Sequence, residues 1–222
     1  MSLRQRRLGG PDLATRDERK RRTRRTLLDA ALALVGEGRS FSSLGLREVT
    51  RQAGVVPTSF YRHFHDLDEL GLALVEEGGR TLRHLLREVR HAGLAPADTI
   101  RRSVRVYQEY VVTHRLHFRF LAGERASGCG PVRNAIRREV GHFVQEMAED
   151  LRQLGILAHL TTPALQMVCG LVVNTMLNAA IDILDLPRND RHREAELMET
   201  FLRQLRVIFL GALQWEERPR GA

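Results

Sequence analysis

The stretch from Leu46 to Phe64 interleaves two sets of side chains with different chemistry. Val49, Ala53, Val55, Phe60 and Phe64 recur at helical spacing and can close a small core. Pro57, Thr58, Ser59, Tyr61, Arg62 and His63 stand between them and bring methyl, hydroxyl, ring N–H and guanidinium groups, which can touch base edges and phosphate oxygens. Gly54 separates two short helical runs, Leu46 to Ala53 and Pro57 to about His63. A helix, a glycine-containing turn and a second helix set the second helix across the first, free to enter a DNA major groove. From the pattern alone an ordinary corner between two helices fits equally well.

Other constellations carry less. Ser127, Cys129 and His142 offer a nucleophile and a base, but no Gly-x-Ser-x-Gly elbow surrounds the serine and no third group orients the base, so no catalytic residue is expected. His63 with His65, and His114 with His117, lack a cysteine or carboxylate completing a ligand set, and neither a metal nor a cofactor is expected. The two cysteines, Cys129 and Cys169, read as free thiols of a reduced, cytoplasmic protein.

The chain has 222 residues, 43% hydrophobic and 28% charged, enough for one globular domain or two tightly fused ones. Its net charge of +8 is unevenly placed: residues 1–25 hold ten basic and three acidic side chains, which leaves only +1 for everything beyond them. A cationic end on a near-neutral body is a handle for a polyanion, either nucleic acid or an anionic membrane surface, unless it merely aids solubility. Beside the Leu46–Phe64 stretch, the basic leader tips the reading from a plain corner toward DNA. The leader is too polar for a signal peptide. The most apolar run, Leu165 to Leu186, contains Gln166, Asn174, Asn178, Asp182 and Asp185, so no membrane span and no membrane partner are expected.

Strand alternation is nearly absent and 3.6-residue apolar spacing recurs throughout, which predicts an all-α protein of about nine helices. Thr15 with Glu18 forms a capping box for a first helix over Arg16 to Val35, ended by Gly36 and Gly38. A second runs from Leu46 to Ala53 with Gly45 at its cap, and Pro57 opens the third. Asp66 and Glu69 start a long fourth helix interrupted in composition by Gly78 and Gly79. Beyond Gly93 to Pro96, helices follow near Ala97–His114, Leu116–Ala126, Pro131–Leu154, Pro163–Leu186 and Arg193–Glu217.

Residues Thr23 to Leu74 resemble the DNA-binding domain of TetR-family transcriptional regulators. The likeness rests on Leu27-Leu28-Asp29-Ala30-Ala31, Leu46-Arg47-Glu48-Val49, Ala53-Gly54-Val55, Phe60-Tyr61-Arg62-His63-Phe64 and Asp68-Glu69-Leu70. Ser40-Phe41, Ser43-Leu44, Pro57-Thr58-Ser59 and Gly71-Leu72, with a weaker echo at Phe118-Arg119, Leu121, Glu124-Arg125 and Ser127-Gly128, look like the FabR/DesT-like repressors of unsaturated fatty-acid synthesis. The resemblance implies a basic N-terminal arm over 1–22, a helix-turn-helix domain over 23–66 and a helical effector-binding and dimerisation domain over 67–222. It places Arg47, Pro57 and Thr58 at base edges and Ser59, Tyr61 and His63 at phosphates. Arg62 completes this face, while Arg21, Arg22 and Arg24 of the arginine leader are expected to lie along the backbone or in a minor groove. Two departures stand out. Leu67 occupies a position where many members hold a phosphate with Lys, and Gly45 replaces the usual Ser or Thr cap.

The same resemblance makes the last two helices a dimer interface, through Leu165, Val168, Val172, Met176 and Ala180 and through Leu197, Phe201, Leu205, Ile208 and Leu213. A twofold homodimer would require a palindromic double-stranded operator. A hydrophobic effector would sit between helices five and eight, against Phe118, Phe120, Leu121, Val140, Phe143, Val144, Met147, Met167 and Leu171, unless these are plain core. Arg119, with Arg101, Arg102 or Arg115, would serve its polar end. The implied function is a repressor of fatty-acid metabolism that senses a long-chain acyl-CoA or acyl-carrier-protein thioester. The alternative is a regulator answering an unrelated hydrophobic molecule, such as a drug-efflux repressor. Gly78 and Gly79 serve either a tilt of the fourth helix or close packing.

Overall fold

Capping chemistry sets the first helix. In the computed structural model, which describes residues 15–127, 130–187 and 190–216, the Thr15 hydroxyl accepts from the Glu18 amide at 3.2 Å and the Glu18 carboxylate accepts from the Thr15 amide at 2.6 Å. Helix α1 (Arg16–Gly36) follows; its first two turns are exposed, and from Leu27 it buries Leu28, Ala31 and Leu34. Of the expected basic arm, residues 1–14 lie outside the described residues, while 16–22 are the start of this helix. A 3-10 turn, Phe41–Ser43, leads into α2 (Leu46–Gln52) and α3 (Pro57–Phe60), after which turns continue through His63.

Helix α4 (Leu67–Arg90) starts where Asp66 accepts from the Glu69 amide at 2.8 Å. The body adds α5 (Pro96–Thr113), α6 (Arg115–Ser127), α7 (Gly130–Gln153), α8 (Thr162–Asp185) and α9 (Arg191–Leu213). The fold is all-helical, with nine α-helices among the described residues, close to the expected spans. The largest shift is at the end of α9, where a turn from Trp215 to the Ala212 carbonyl stops the helix at Leu213.

Head and body share a core. Leu27, Val49, Phe60 and Phe64 of the head pack with Leu70 and Leu74 of α4, Phe120 of α6 and Val132 and Ile136 of α7. A division after residue 66 therefore falls inside one packed cluster. Helix α4 leaves this cluster and runs along α7, joined by Arg83 to Glu139 and to Glu146 (3.0 Å), and by Arg90 to the buried Asp150 at 2.9 and 2.7 Å. Gly78 and Gly79 sit within an unbroken helix. A Cβ at Gly78 would run into the His117 ring and one at Gly79 into Glu139, so close packing accounts for both glycines.

Helix α8 meets the length and hydropathy of a membrane span, yet its Leu165, Cys169, Ala179 and Ile183 are buried within the bundle. Most of the apolar positions expected to form a dimer face turn inward: Leu165, Val168, Val172, Ala180, Phe201 and Leu205 are buried within this chain, and Met176, Leu197 and Ile208 are half-buried. Of the expected positions Leu213 is exposed, and it shares the outward stripes with Met167, Leu171 and Ile181 on α8 and Val207 and Leu210 on α9, all large and apolar.

Gly71 lies where α4 crosses the head core, and a Cβ there would come within 2.8 Å of both Phe41 and Val132, two buried side chains with no room to give. Alanine normally favours a helix interior over glycine by about 1 kcal/mol. Overpacking costs about 1–3 kcal/mol and wins here. Gly71→Ala is expected to lower the free energy of urea unfolding; a stabilised variant would contradict this packing.

Candidate nucleic-acid interface and ligand cavity

The turn between α2 and α3 is built by local chemistry. Gly54 takes φ +66°, a left-handed conformation that favours glycine, and the Val55 amide reaches back to the Thr50 carbonyl at 3.0 Å, closing a Schellman-type end to α2. Thr50 is buried and its hydroxyl donates to the Leu46 carbonyl at 3.0 Å. At Gly45 only half of a capping box forms: the Glu48 carboxylate accepts from the Gly45 amide at 3.0 Å, and Arg39 holds that carboxylate at 2.7 Å. The Arg39 hydrogen bond and the Gly45 amide keep the Glu48 carboxyl below its usual range.

Burial of Val49, Phe60 and Phe64 turns the other side of the motif outward. Arg47, Pro57, Thr58, Tyr61 and Arg62 are exposed, Tyr61 to 63%, while Ser59 and His63 are half-buried. Burial first, then the charges of Lys20, Arg24 and Arg62, hold the His63 imidazole below its ordinary pKa. It is therefore neutral at pH 7 and can offer a phosphate an N–H but no charge. Lys20 and Arg24 act on His63 because the start of α1 lies beside the end of the recognition segment, which the sequence pattern did not reveal.

One expectation changes at this face. Arg24 pairs with Glu77 of α4 and stacks 5.1 Å from the centre of the Phe64 ring, so it fastens α1 to α4 rather than standing free for DNA. Arg21 and Arg22 remain exposed on α1. Leu67, in the place of the usual Lys, packs against the head core.

Inside the body, α4 to α9 enclose a cavity of about 380 Å³. Phe118, Leu121, Val140, Phe143 and Met147 line it as expected, and Val75, Leu82, Leu86, Val172 and Met176 extend the wall. The other expected residues lie elsewhere. Phe120 is on the opposite side of α6, buried edge-to-face against Phe41 with ring centres 5.1 Å apart. Arg119 is exposed next to it. Met167 and Leu171 point out of the bundle, 46% and 51% exposed. Each is a helical face assigned to the wrong neighbour. Val144 packs in the core beside the cavity. Arg101 and Arg102 are exposed, and Arg115 donates to the Leu184 carbonyl.

The arginines on the wall are Arg90 and Arg125. Arg90 is clamped by Asp150, which also receives His91 at 3.0 Å and Arg87 at 3.4 Å. Burial alone would raise the Asp150 carboxyl; the His91 and Arg90 hydrogen bonds and the neighbouring charges outweigh it and hold the pKa low. Tyr107 and Tyr110 face the cavity but spend their hydroxyls on the Met176 carbonyl (2.7 Å) and the Gly78 carbonyl (3.1 Å). His117 also lines the wall, and its Nε2 is buried without a partner among the described residues. A carboxylate such as Asp150 reads from sequence as surface charge, which is why this cluster was not foreseen.

Cys169 is a buried thiol, its pKa pushed up to about 11 by burial; Cys129 lies outside the described residues. His142 is exposed and faces Glu139 at 3.4 Å, and no group of three metal-ligating side chains occurs among the described residues.

A helix-turn-helix head with an outward polar face, carried on a helical body with an apolar cavity, is the architecture of a DNA-binding transcriptional regulator. Family models agree over both parts: bacterial regulatory proteins of the tetR family match residues 27–74, and a tetracyclin repressor-like C-terminal domain matches residues 96–206. The chain belongs to the TetR family of transcriptional regulators. Solved structures share the fold at low identity. A TetR-family regulator from Syntrophomonas wolfei is 12% identical with a TM-score of 0.72, over 88% of this chain and 99% of that one. The fatty acid degradation regulator FadR of Bacillus halodurans is 14% identical with a TM-score of 0.66, over 87% and 97%. FadR of Bacillus subtilis, solved with stearoyl-CoA, is 14% identical with a TM-score of 0.63, over 84% and 98%.

Burial, followed by the His114 and Arg25 charges, lowers the His117 pKa to about 4. The unfolded chain takes up a proton on this histidine near pH 6.5 and the folded protein only near 4, so the stability this site contributes is present above pH 6.5 and is lost as pH falls toward 4. The loss amounts to about 3 kcal/mol at most. His117→Asn is expected to flatten unfolding free energy against pH across that window. A slope identical to wild type would show that His117 titrates freely.

Proposed function

We propose that the protein is a homodimeric repressor that binds a palindromic operator through Arg47, Pro57, Thr58, Ser59, Tyr61, Arg62 and His63. Arg21 and Arg22 of α1 add backbone contacts. The observation that carries this reading is the exposed Tyr61 side chain, flanked by Thr58 and Arg62, on a motif whose opposite side is buried at Phe60 and Phe64. A regulator acting on chromosomal DNA works in the cytoplasm.

The effector on this reading is hydrophobic and enters the α4–α9 cavity, against Phe118, Leu121, Phe143 and Met147. Its volume falls in the range of about 300–1,000 Å³ usual for small-molecule sites. A long-chain acyl-CoA or acyl-carrier-protein thioester fits the apolar wall. The sequence likeness to the FabR/DesT-like repressors and the stearoyl-CoA bound to Bacillus subtilis FadR lend this support. Control of fatty-acid metabolism follows. A second reading, an unrelated hydrophobic effector of the kind sensed by drug-efflux repressors, is favoured by one feature: Arg90 is already neutralised by Asp150 and offers an acyl thioester little free charge.

An operator selected from random-sequence DNA provides the test. Wild type is expected to shift it, Tyr61→Ala to bind at least about tenfold more weakly with unchanged helicity, and Thr58→Ala to accept more sequences. Acyl-CoA titrated into the wild-type complex is expected to change the shift. Full binding by Tyr61→Ala would refute the DNA face, and indifference to saturated and unsaturated acyl-CoA alike would refute the thioester.

The outward stripes of α8 and α9 are the surfaces on which two copies would pair, since contiguous exposed apolar area marks an association site. Wild type is expected to sediment as a dimer, and Leu171→Arg with Leu210→Arg, both at exposed positions, as a folded monomer. A dimer in the double variant would move the interface elsewhere.

A further inference from the structure

Head and body also meet along a second cleft, of about 300 Å³, bordered by Gly36, Gly38 and Ser40 on one side and Arg119, Gly123 and Glu124 on the other. Glu124 is 2% exposed. Its Oε1 accepts from the Phe41 amide at 3.2 Å and the Ser40 hydroxyl at 3.4 Å, which fixes the carboxyl group in place. Its Oε2 is buried and has no partner among the described residues. An unmet buried acceptor costs more than a hydrogen bond returns, so a donor that entered from the cleft and reached Oε2 through a small local shift would relieve a standing penalty.

The surroundings restrict that donor. Phe41 and Phe120 lie beneath the cleft beside the carboxyl, nearly fully buried, and make its floor apolar. Gly38 and Gly123 keep the walls low, since beyond their Cα atoms the space is open, whereas Gly36 is packed against Leu116. At the rim, Arg39 is committed to Glu48 at 2.7 and 3.2 Å. Arg119 is exposed and has no ion-pair partner among the described residues. The cleft is thus acidic at its inner end and cationic at its mouth.

We propose that this cleft is a second small-molecule site, separate from the apolar cavity, which takes a compact zwitterion of amino-acid size whose ammonium or guanidinium donates to Glu124 Oε2 and whose carboxylate faces Arg119. Such an occupant touches the head and the body at once and ties α6 to the 3-10 turn that leads into α2. The site stands independently of the effector assigned to the cavity.

Calorimetric titration of the full chain with L-arginine and with agmatine, its decarboxylated analogue, tests the assignment. Wild type is expected to bind both saturably, L-arginine with a Kd below about 1 mM. E124Q keeps an acceptor for the Phe41 amide but removes the charge, and is expected to weaken both by about tenfold or more. R119Q, at an exposed position, is expected to weaken L-arginine and leave agmatine unchanged. Absence of saturable binding to wild type overturns the proposal, as does equal binding by E124Q. If E124Q fails to fold, R119Q decides: an equal effect on both probes, or none on L-arginine, also overturns it.

Discussion

Burial of Phe60 and Phe64 is the constraint from which the rest follows. Both rings are removed from water against Leu27, Val49 and Leu70, and the short recognition segment has no other way to hold its position. A four-residue helix is far too short to persist alone. Tertiary packing keeps it folded, and the same packing forces Thr58, Tyr61 and Arg62 outward. Any DNA contact made by these side chains borrows its precision from the two phenylalanines beneath them.

That core is not confined to the head. Phe120 of α6 and Val132 and Ile136 of α7 belong to it, so the surface under the recognition segment is continuous with helices that wall the body cavity. Helix α6 is divided along its length: Phe118 and Leu121 face the cavity, while Phe120 and Glu124 face Phe41 and the 3-10 turn. Close-packed interiors transmit displacement rather than absorb it. Gly71, Gly78 and Gly79 bring α4 into the same tight contact with Phe41, His117 and Glu139. A ligand in the body and a DNA phosphate at Tyr61 would therefore act on one packed unit.

Much of the fold was legible in the residues themselves because local rules decide it. Thr15 with Glu18, Asp66 with Glu69, Gly54 and Pro57 each specify a helix end by hydrogen bonding or backbone preference, and the helices start and stop close to them. Helical spacing also separated Phe60 from Tyr61 correctly. What spacing does not encode is which neighbour a face will meet. Phe120, Met167 and Leu171 were expected on the cavity wall, yet one lies in the head core and two face outward, because an apolar stripe looks the same whether it meets a cavity, a domain junction or a second copy. Arg24 was grouped with the exposed leader because its partner Glu77 is far off in sequence and near only in the folded protein. Asp150 and Glu124 were unforeseen for the converse reason: charged residues are seldom buried, and only the fold shows that α4 or the 3-10 turn supplies their partners.

The central claim, that Tyr61 stands in a DNA groove, is tested most directly by photo-crosslinking. A benzophenone side chain is placed at position 61, or as a control at exposed position 112 on α5, and each variant is irradiated on a selected operator. The account predicts covalent DNA adducts from position 61 and none from position 112. Bound DNA that crosslinks at 112 and not at 61 would contradict it.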